Sequence, residues 1–378
     1  AVSQFLPPGL RFDVVIFDEA SQVKPADAAN AIYRGRSLIV AGDNKQLPPT
    51  SFFERIGDED DEWDEDQTDS FESVLDLCKA SGTLPSLSLR WHYRSEHESL
   101  IAYSNRAFYE SELVTFPSSS EVRDDLGLEL IQVPGIYEAG GARHNVIEAK
   151  KVVERVFVHA ERHPDASLGV VAFSEAQASR IQDEIDFARR SRPELDEFFA
   201  PDRLDGFFVK NLESVQGDER DTIIFSVGYG PDQTGKFAMR FGPLNGEGGQ
   251  RRLNVAITRA RKRVEVIASF NDADMRETTS AGVRHLKQYL AYARLGPPAL
   301  EAGPAESLGG TESPFEDSVL AAIRDWGYDV VSQVGQVGYR IDHGIRHPDQ
   351  PGRIVMGIEC DGAAYHTSPA ARDRDRKR

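Results

Sequence analysis

Residues 12–22 read FDVVIFDEASQ, and residues 36–50 read RSLIVAGDNKQLPPT. Each stretch opens on a continuous apolar run and closes on an acid, Asp18 in the first and Asp43 in the second. A short apolar run without polar alternation is how a strand covered on both faces of a parallel sheet reads. Between them, QVKPADAANAIYRG at residues 22–35 is compatible with a helix. Strand, helix, strand, with acids at both carboxyl ends, is an α/β unit that places its chemistry at the strand ends.

The alternation resumes further along. Residues 146–163 have helical spacing, with Val152, Val153, Val156 and Phe157 apolar. SLGVVAFS (167–174) and RDTIIFSVGYG (220–230) read as strands, EAQASRIQDEIDFARR (175–190) as a helix, and residues 253–269 as a helix running into a strand. Residues 71–79 look amphipathic, and residues 96–109 look helical, with Leu100, Ile101, Tyr103 and Phe108. Residues 296–314, rich in Gly, Pro, Ala and Ser, are the clearest linker. Beyond them the spacing predicts a helix over 315–326 and short strands around VVSQV, YRIDHGI and IVMGIECDG. No repeat at a fixed period is present.

Composition narrows the class. The 378 residues carry 44 Lys and Arg against 62 Asp and Glu, a net charge of −18, with 40% hydrophobic and 28% charged residues. That supports more than one core and excludes disorder throughout. No stretch approaches the length of a membrane-spanning apolar run. Two cysteines, Cys78 and Cys360, exclude a disulfide framework and a four-thiolate zinc site, so a reducing, cytoplasmic setting is expected. No secretory signal is visible, and the start at Ala1 leads us to expect a piece of a longer chain. The charge is uneven. Residues 58–66, DEDDEWDED, read as a solvated acidic loop, whereas residues 248–264 hold Arg251, Arg252, Arg259, Arg261, Lys262 and Arg263 with no acid. The last seven residues, RDRDRKR, carry five basic groups, either a solvated helix face or a contact to a nucleic-acid backbone.

Two adjacent acids at the end of a buried strand, Asp18 and Glu19, suit a magnesium ion and an attacking water. Alone they equally suit a helix N-terminus, where acids face the dipole. The wider pattern decides between these readings. DEASQ (18–22) followed by GDNKQLPPT (42–50) resembles motifs II and III of superfamily 1 helicases of the Upf-like branch. LRWHYRS (89–95), SVQGDE (214–219) and NVAITRAR (254–261) resemble motifs IV, V and VI, in the same order. The resemblance spans about residues 12–270.

It implies RecA-like P-loop NTPase domains, the first one partial (1–86, then 87–295), with ATP and Mg²⁺ bound. By resemblance, Asp18 would bind the metal, Glu19 would activate water, Gln46 would sense the γ-phosphate, and Arg94 and Arg259 would be arginine fingers. Gln22, Gly42, Asp43, Gly217, Glu219 and Arg261 would complete the nucleotide-contacting set. The phosphate-cradling G-x-x-x-x-G-K-[ST] loop is expected upstream of Asp18, and the 17 residues there do not contain it. Residues 230–237, GPDQTGKF, fit its first seven positions but end on Phe237, which has no hydroxyl for the metal, and are expected to be a plain loop. The chain alone is therefore expected not to hydrolyse ATP.

A second constellation follows the linker. Glu316 lies on the predicted helix, Asp342 in YRID, and Glu359 and Asp361 at the end of IVMGI. This arrangement resembles the PD-(D/E)xK nuclease core. ECDGAAYH at residues 359–366 is similar to the very-short-patch-repair endonuclease branch, where a histidine, here His366, assists the water. The resemblance implies a small restriction-endonuclease-like α/β domain over 315–378, with Mg²⁺ or Mn²⁺ held by Asp342 and Glu359. Asp361 stands where the motif has lysine, and the core is expected to be incomplete at Arg378. Cys360 reads as a small core residue. His343 and His347 are not on a helix, which argues against a zinc pair.

The combined expectation is an ATP-dependent nucleic-acid motor joined to a metal-dependent endonuclease, with DNA favoured over RNA and no membrane partner. Two rivals stay open: an ATP switch that clamps nucleic acid with a non-cleaving C-terminal domain, and a degraded remnant. Trp91 reads either as a base-stacking aromatic or as packing beneath Arg94.

Overall fold

The computed structural model describes residues 5–7, 9–49, 71–119, 125–200, 203–300, 314–335, 340–350 and 352–360. The chain forms two compact units. One comprises Ala1–Leu89, Leu130–Arg259 and Glu265–Ala291; the other comprises Arg90–Glu129, Ala260–Val264 and Tyr292–Arg378.

The first unit begins with β1 (Phe12–Phe17), α1 (Pro25–Arg34) and β2 (Gly35–Val40). β1 and β2 pair in parallel, Phe17 opposite Val40. Pro25 opens α1 at a position where its missing N–H costs nothing. Helix α2 (Val74–Ala80) starts later than the amphipathic reading suggests, because the Ser73 side chain accepts from the Asp76 amide and fixes the N-terminus there. Val74 and Leu75 pack with Ala20 and Ala28 into a small core.

Residues 96–109 divide into a 3₁₀ turn (Glu98–Leu100) and helix α3 (Ala102–Phe108) instead of forming one helix. His97 Nδ1 accepts from the Ser99 amide, and Ser118 Oγ accepts from the Glu98 amide. Side chains that satisfy these amides stabilise a separate tight turn.

Next come β3 (Gly127–Gln132), α4 (Val146–Arg162), β4 (Leu168–Ala172), α5 (Glu175–Arg189), β5 (Phe208–Asn211), β6 (Arg220–Ser226), α6 (Gly249–Ile257), β7 (Ala260–Ala268) and α7 (Ala281–Leu295). The sheet order is β3-β7-β6-β4-β5, with β4 parallel to both β5 and β6. Ala149, Val152, Val156 and Ala160 form the buried stripe of α4, and Ala178, Ile181 and Ile185 that of α5. Both press on Leu168, Val170 and Ala172 of β4. Spacings of three and four put each set on one helix face.

The loop at residues 230–237 is a small turn, as expected. Asp232 Oδ1 accepts from the amides of Thr234 and Lys236. A phosphate cradle needs such amides free to face an anion, and here a carboxylate already holds them.

The second unit carries α8 (Pro314–Asp325), β8 (Val330–Val334), β9 (Ile341–Arg346) and β10 (Ile354–Ile358). The strands form an antiparallel sheet in the order β10-β9-β8. Residues 301–313 of the expected linker lie outside the described residues. No helix among the described residues is long and apolar enough to cross a membrane.

Candidate functional site

Pairing of β1 with β2 continues past the strands. The Ala41 amide donates to Phe17 O at 2.8 Å, and the Ala20 amide to Ala41 O at 2.9 Å. Asp18–Glu19 and Gly42–Asp43 therefore emerge side by side. A Cβ on Gly42 would lie 3.0 Å from the backbone nitrogens of Ala20 and Ser21, so the close approach requires glycine. Glu19 adopts a left-handed φ of 50°, uncommon without glycine and costing on the order of 1 kcal/mol or more. Its amide donates to Asp18 Oδ1 at 2.9 Å, and its Oε2 accepts from Gln22 Nε2 at 3.3 Å. Both acids are exposed.

Asp43 organises the loop that follows. Its Oδ1 accepts from the Lys45 amide at 2.8 Å and its Oδ2 from Gln46 Nε2 at 3.0 Å. With the Gln46 amide nitrogen committed to Asp43, its Oε1 faces the other way and accepts from Arg259 Nη2 at 3.2 Å. Arg259 follows α6, is 4% exposed, and donates Nε to Val255 O at 2.7 Å. Asn254 Nδ2 donates to Lys45 O at 3.1 Å, and Arg251 pairs with Glu72 at 2.6 Å. The end of α6 is thus held against the Asp43–Gln46 loop, across 213 residues of sequence. Gly217, at φ 84°, and Glu219 lie in the turn between β5 and β6.

In the second unit, residues 90–96 form an anchored loop. The Val114 amide donates to Arg90 O, the His92 amide to Val114 O, and the Glu96 amide to Arg261 O. His92 Nε2 accepts from the Ser95 amide at 3.1 Å, closing a turn that presents Tyr93 and Arg94. Burial first, then the Arg94 charge, pushes the His92 pKa down to about 4, so the ring is neutral and keeps its acceptor. Trp91 stacks on Phe116 with centroids 5.5 Å apart, which is a packing role.

β9 and β10 bring Asp342 to the end of β10. The register ends at Ile358↔His343, one residue before Glu359 and one after Asp342, and the Cys360 amide donates to Asp342 Oδ2 at 2.6 Å. His343 is fully buried, lies 3.1 Å from Glu316 O through Nε2, and is a satisfied core residue. Glu316 is buried on α8. Among the described residues no group of three or more His, Cys, Asp or Glu is disposed to hold a metal, so Glu316 does not join Asp342 and Glu359 in such a cluster. Asp361 and His366 lie outside the described residues.

One polar cluster was not foreseen from the sequence. Glu148 is fully buried at the carboxyl ends of β4, β6 and β7. It accepts from Ser226 Oγ at 3.1 Å, the Gly228 amide at 2.6 Å and Ser269 Oγ at 2.6 Å. Gln177 and Asn145 close the ring around it. Burial pushes its carboxyl up to about 7, against the lowering effect of these donors. An acid flanked by the apolar positions of a helix was the available signal; its partners lie up to 121 residues away.

A protein-family model described as AAA domain matches residues 70–271, and another of the same description matches residues 3–54. A restriction-endonuclease model, REase_MTES_1575, matches residues 315–378. The chain is 36% identical to an uncharacterized ATP-dependent helicase of Mycoplasma pneumoniae, the MG140 homolog, over 74% of this chain and 25% of that protein. It is 26% identical to an uncharacterized ATP-dependent helicase of Methanocaldococcus jannaschii, MJ0104, over 70% of this chain and 37% of that protein. It is also 25% identical to the DNA-binding protein SMUBP-2 of Rattus norvegicus, over 68% of this chain and 25% of that protein. The chain thus spans about a quarter to a third of the length of these relatives. A solved arterivirus nonstructural protein 10 helicase with DNA aligns at a TM-score of 0.32 and 13% identity, covering 69% of this chain and 40% of that one.

Proposed function

The chain belongs to the AAA-domain family, in its Upf-like superfamily 1 helicase branch, with a restriction-endonuclase-like domain behind it, and from that premise we propose that it forms part of an ATP-driven DNA motor coupled to a metal-dependent endonuclease. The observation that carries this reading is the bonded series Asp43–Gln46–Arg259 beside Asp18–Glu19. A polar side chain held between a carboxylate and a buried guanidinium, next to two exposed acids, is suited to register whether a γ-phosphate is present.

In this proposal Asp18 would hold Mg²⁺, which would supply charge neutralisation at the phosphates. Glu19 takes the proton of the attacking water as the oxygen–phosphorus bond to the leaving ADP breaks. Arg259 and Arg94 stabilise charge on the transferring group, while Gln22, Gly42, Gly217, Glu219 and Arg261 contact the nucleotide. DNA is favoured because the appended domain resembles DNA-cutting enzymes. Its site is Asp342 with Glu359, assisted by Asp361 and His366; Glu316, which does not join that pair in a metal-holding group among the described residues, supports the site from α8. We place the domain limits at 1–86, 87–295 and 315–378, with the linker at 296–314.

The test is single-strand-stimulated ATP hydrolysis by the intact protein. Glu19→Gln is expected to abolish turnover while leaving nucleotide binding; undiminished turnover would sink the assignment. For the nuclease, Mn²⁺-dependent plasmid cleavage should disappear in Asp342→Ala and in Glu359→Ala. A second reading, an ATP-operated clamp whose end domain binds without cutting, is favoured by the Asp342 carboxylate being engaged with the Cys360 amide and by the missing three-ligand cluster among the described residues. Plasmid that stays intact with every divalent metal, but is retained by the protein, would select it.

A further inference from the structure

Among the described residues strand β10 is the edge of its sheet, and an edge strand presents backbone amides that are not bonded within the sheet. The Ile354 amide is nevertheless engaged: it donates to Ser119 O at 2.8 Å. Ser119 belongs to the segment 114–119, whose other end is bound to the Arg94 loop. Val114 donates to Arg90 O at 2.7 Å and accepts from the His92 amide at 3.0 Å. Phe116 stacks on Trp91, and Ser118 Oγ accepts from the Glu98 amide at 2.8 Å.

We propose that residues 114–119 are a strap that transmits the position of the Arg94 loop to β10, and so makes the nuclease-like site answer to nucleotide. The proposal rests on the reading that the Arg94 loop moves when nucleotide binds. Val114 is bonded to both sides of that loop's first turn and must follow it. Pro117 restricts the backbone on the way to Ser119. Ile354 is five residues before Glu359, on the strand that leads into the Cys360 amide bonded to Asp342.

The joint is also built to shift. Pro117, Ser119, Val334, Ile341, Ile354 and Met356 line a half-open apolar pocket of about 160 Å³ at this joint, so the strap meets β10 over an open seam. Met356 is 57% exposed, so displacement of this edge does not tear a core. The strap thus adds to β10 by backbone bonding, as an extended peptide adds to a sheet edge.

The experiment is hydrogen exchange of residues 352–358 in the intact protein, with and without ADP plus aluminium fluoride. Exchange at Ile354 is expected to change by roughly fivefold on binding, the factor for one hydrogen bond. Phe116→Ala and Ser118→Ala should each remove the response while ATP hydrolysis stays within about twofold. Ile354→Pro should make metal-dependent cleavage indifferent to nucleotide. A hydrolysing protein whose β10 exchange ignores nucleotide overturns the strap and leaves the functional reading standing, as does a response that survives in both strap variants. A strap response in a protein that never hydrolyses ATP overturns the functional reading instead.

Discussion

Replacing Glu148 by glutamine separates one buried titration from the rest of the chain. Glu148 has no exposed surface, and its carboxyl rises from 4.5 to about 7. Between those values the native state holds a proton that the unfolded chain has released. The stabilisation is therefore fully present below pH 4.5 and is lost as pH rises through 7. The difference, 7 − 4.5 = 2.5, at 1.36 kcal/mol each, amounts to about 3 kcal/mol. Glutamine does not titrate; its oxygen can still accept from the Gly228 amide and its nitrogen can donate to Ser269 Oγ. The stability of Glu148→Gln relative to the parent should thus improve by about 2.5 kcal/mol on going from pH 5 to pH 8, part of the full effect being lost already below pH 5. Hydrogen exchange of α4 and β6 amides reads this locally, without requiring the whole chain to unfold in one step. A Glu148 carboxyl resonance that titrates near 4.5, or a stability difference equal at both pH values, would refute the reasoning.

Three further outcomes are expected. Arg259→Ala should lower the ATP turnover of the intact protein by roughly 10²–10³-fold, and Arg259→Lys should not restore it, because a point ammonium cannot donate to Val255 O and Gln46 together as the guanidinium does. Gly42→Ala should destabilise the first unit by about 1–3 kcal/mol in thermal unfolding, since its Cβ meets backbone that cannot step aside. For His92 the sign is opposite to Glu148: its pKa falls from 6.5 to about 4, so its contribution is present above 6.5 and lost as pH drops through 4. Nitrogen NMR should show a neutral ring with an unprotonated Nε2 at pH 6; an imidazolium there would exclude the turn described.

The parts legible in the sequence are those coded locally. β1, β2, β4 and β6 announce themselves as apolar runs, and α4 and α5 as apolar stripes bounded by Asn145 and Ser174, whose side chains cap them. β3 and β5 are not legible in the same way: LELIQ alternates weakly, and the four residues of β5 are half-buried at a sheet edge. The apolar spacing of 96–109 is that of one helix, whereas His97 Nδ1, accepting from the Ser99 amide, and Ser118 Oγ, accepting from the Glu98 amide 20 residues away, decide where it breaks. Glu148 is hidden for the same reason, since a glutamate on a helix looks solvated until its serine partners on β6 and after β7 are known.

The site divides along the same line. Gln46 was identified by motif order, but what orients it is chemical exclusion. Asp43 is an acceptor only, so it must take the Gln46 nitrogen; Gln46 then has only an oxygen left for a donor, and Arg259 has only donors to offer. Reversing any one member breaks two bonds, one of them to a guanidinium that is almost wholly buried. Leaving that charge unsatisfied costs more than the net value of the bond itself. The series Asp, Gln, Arg is therefore directional, each donor and acceptor being fixed by the chemistry of its neighbour. That direction requires each of the three residue types at its own position.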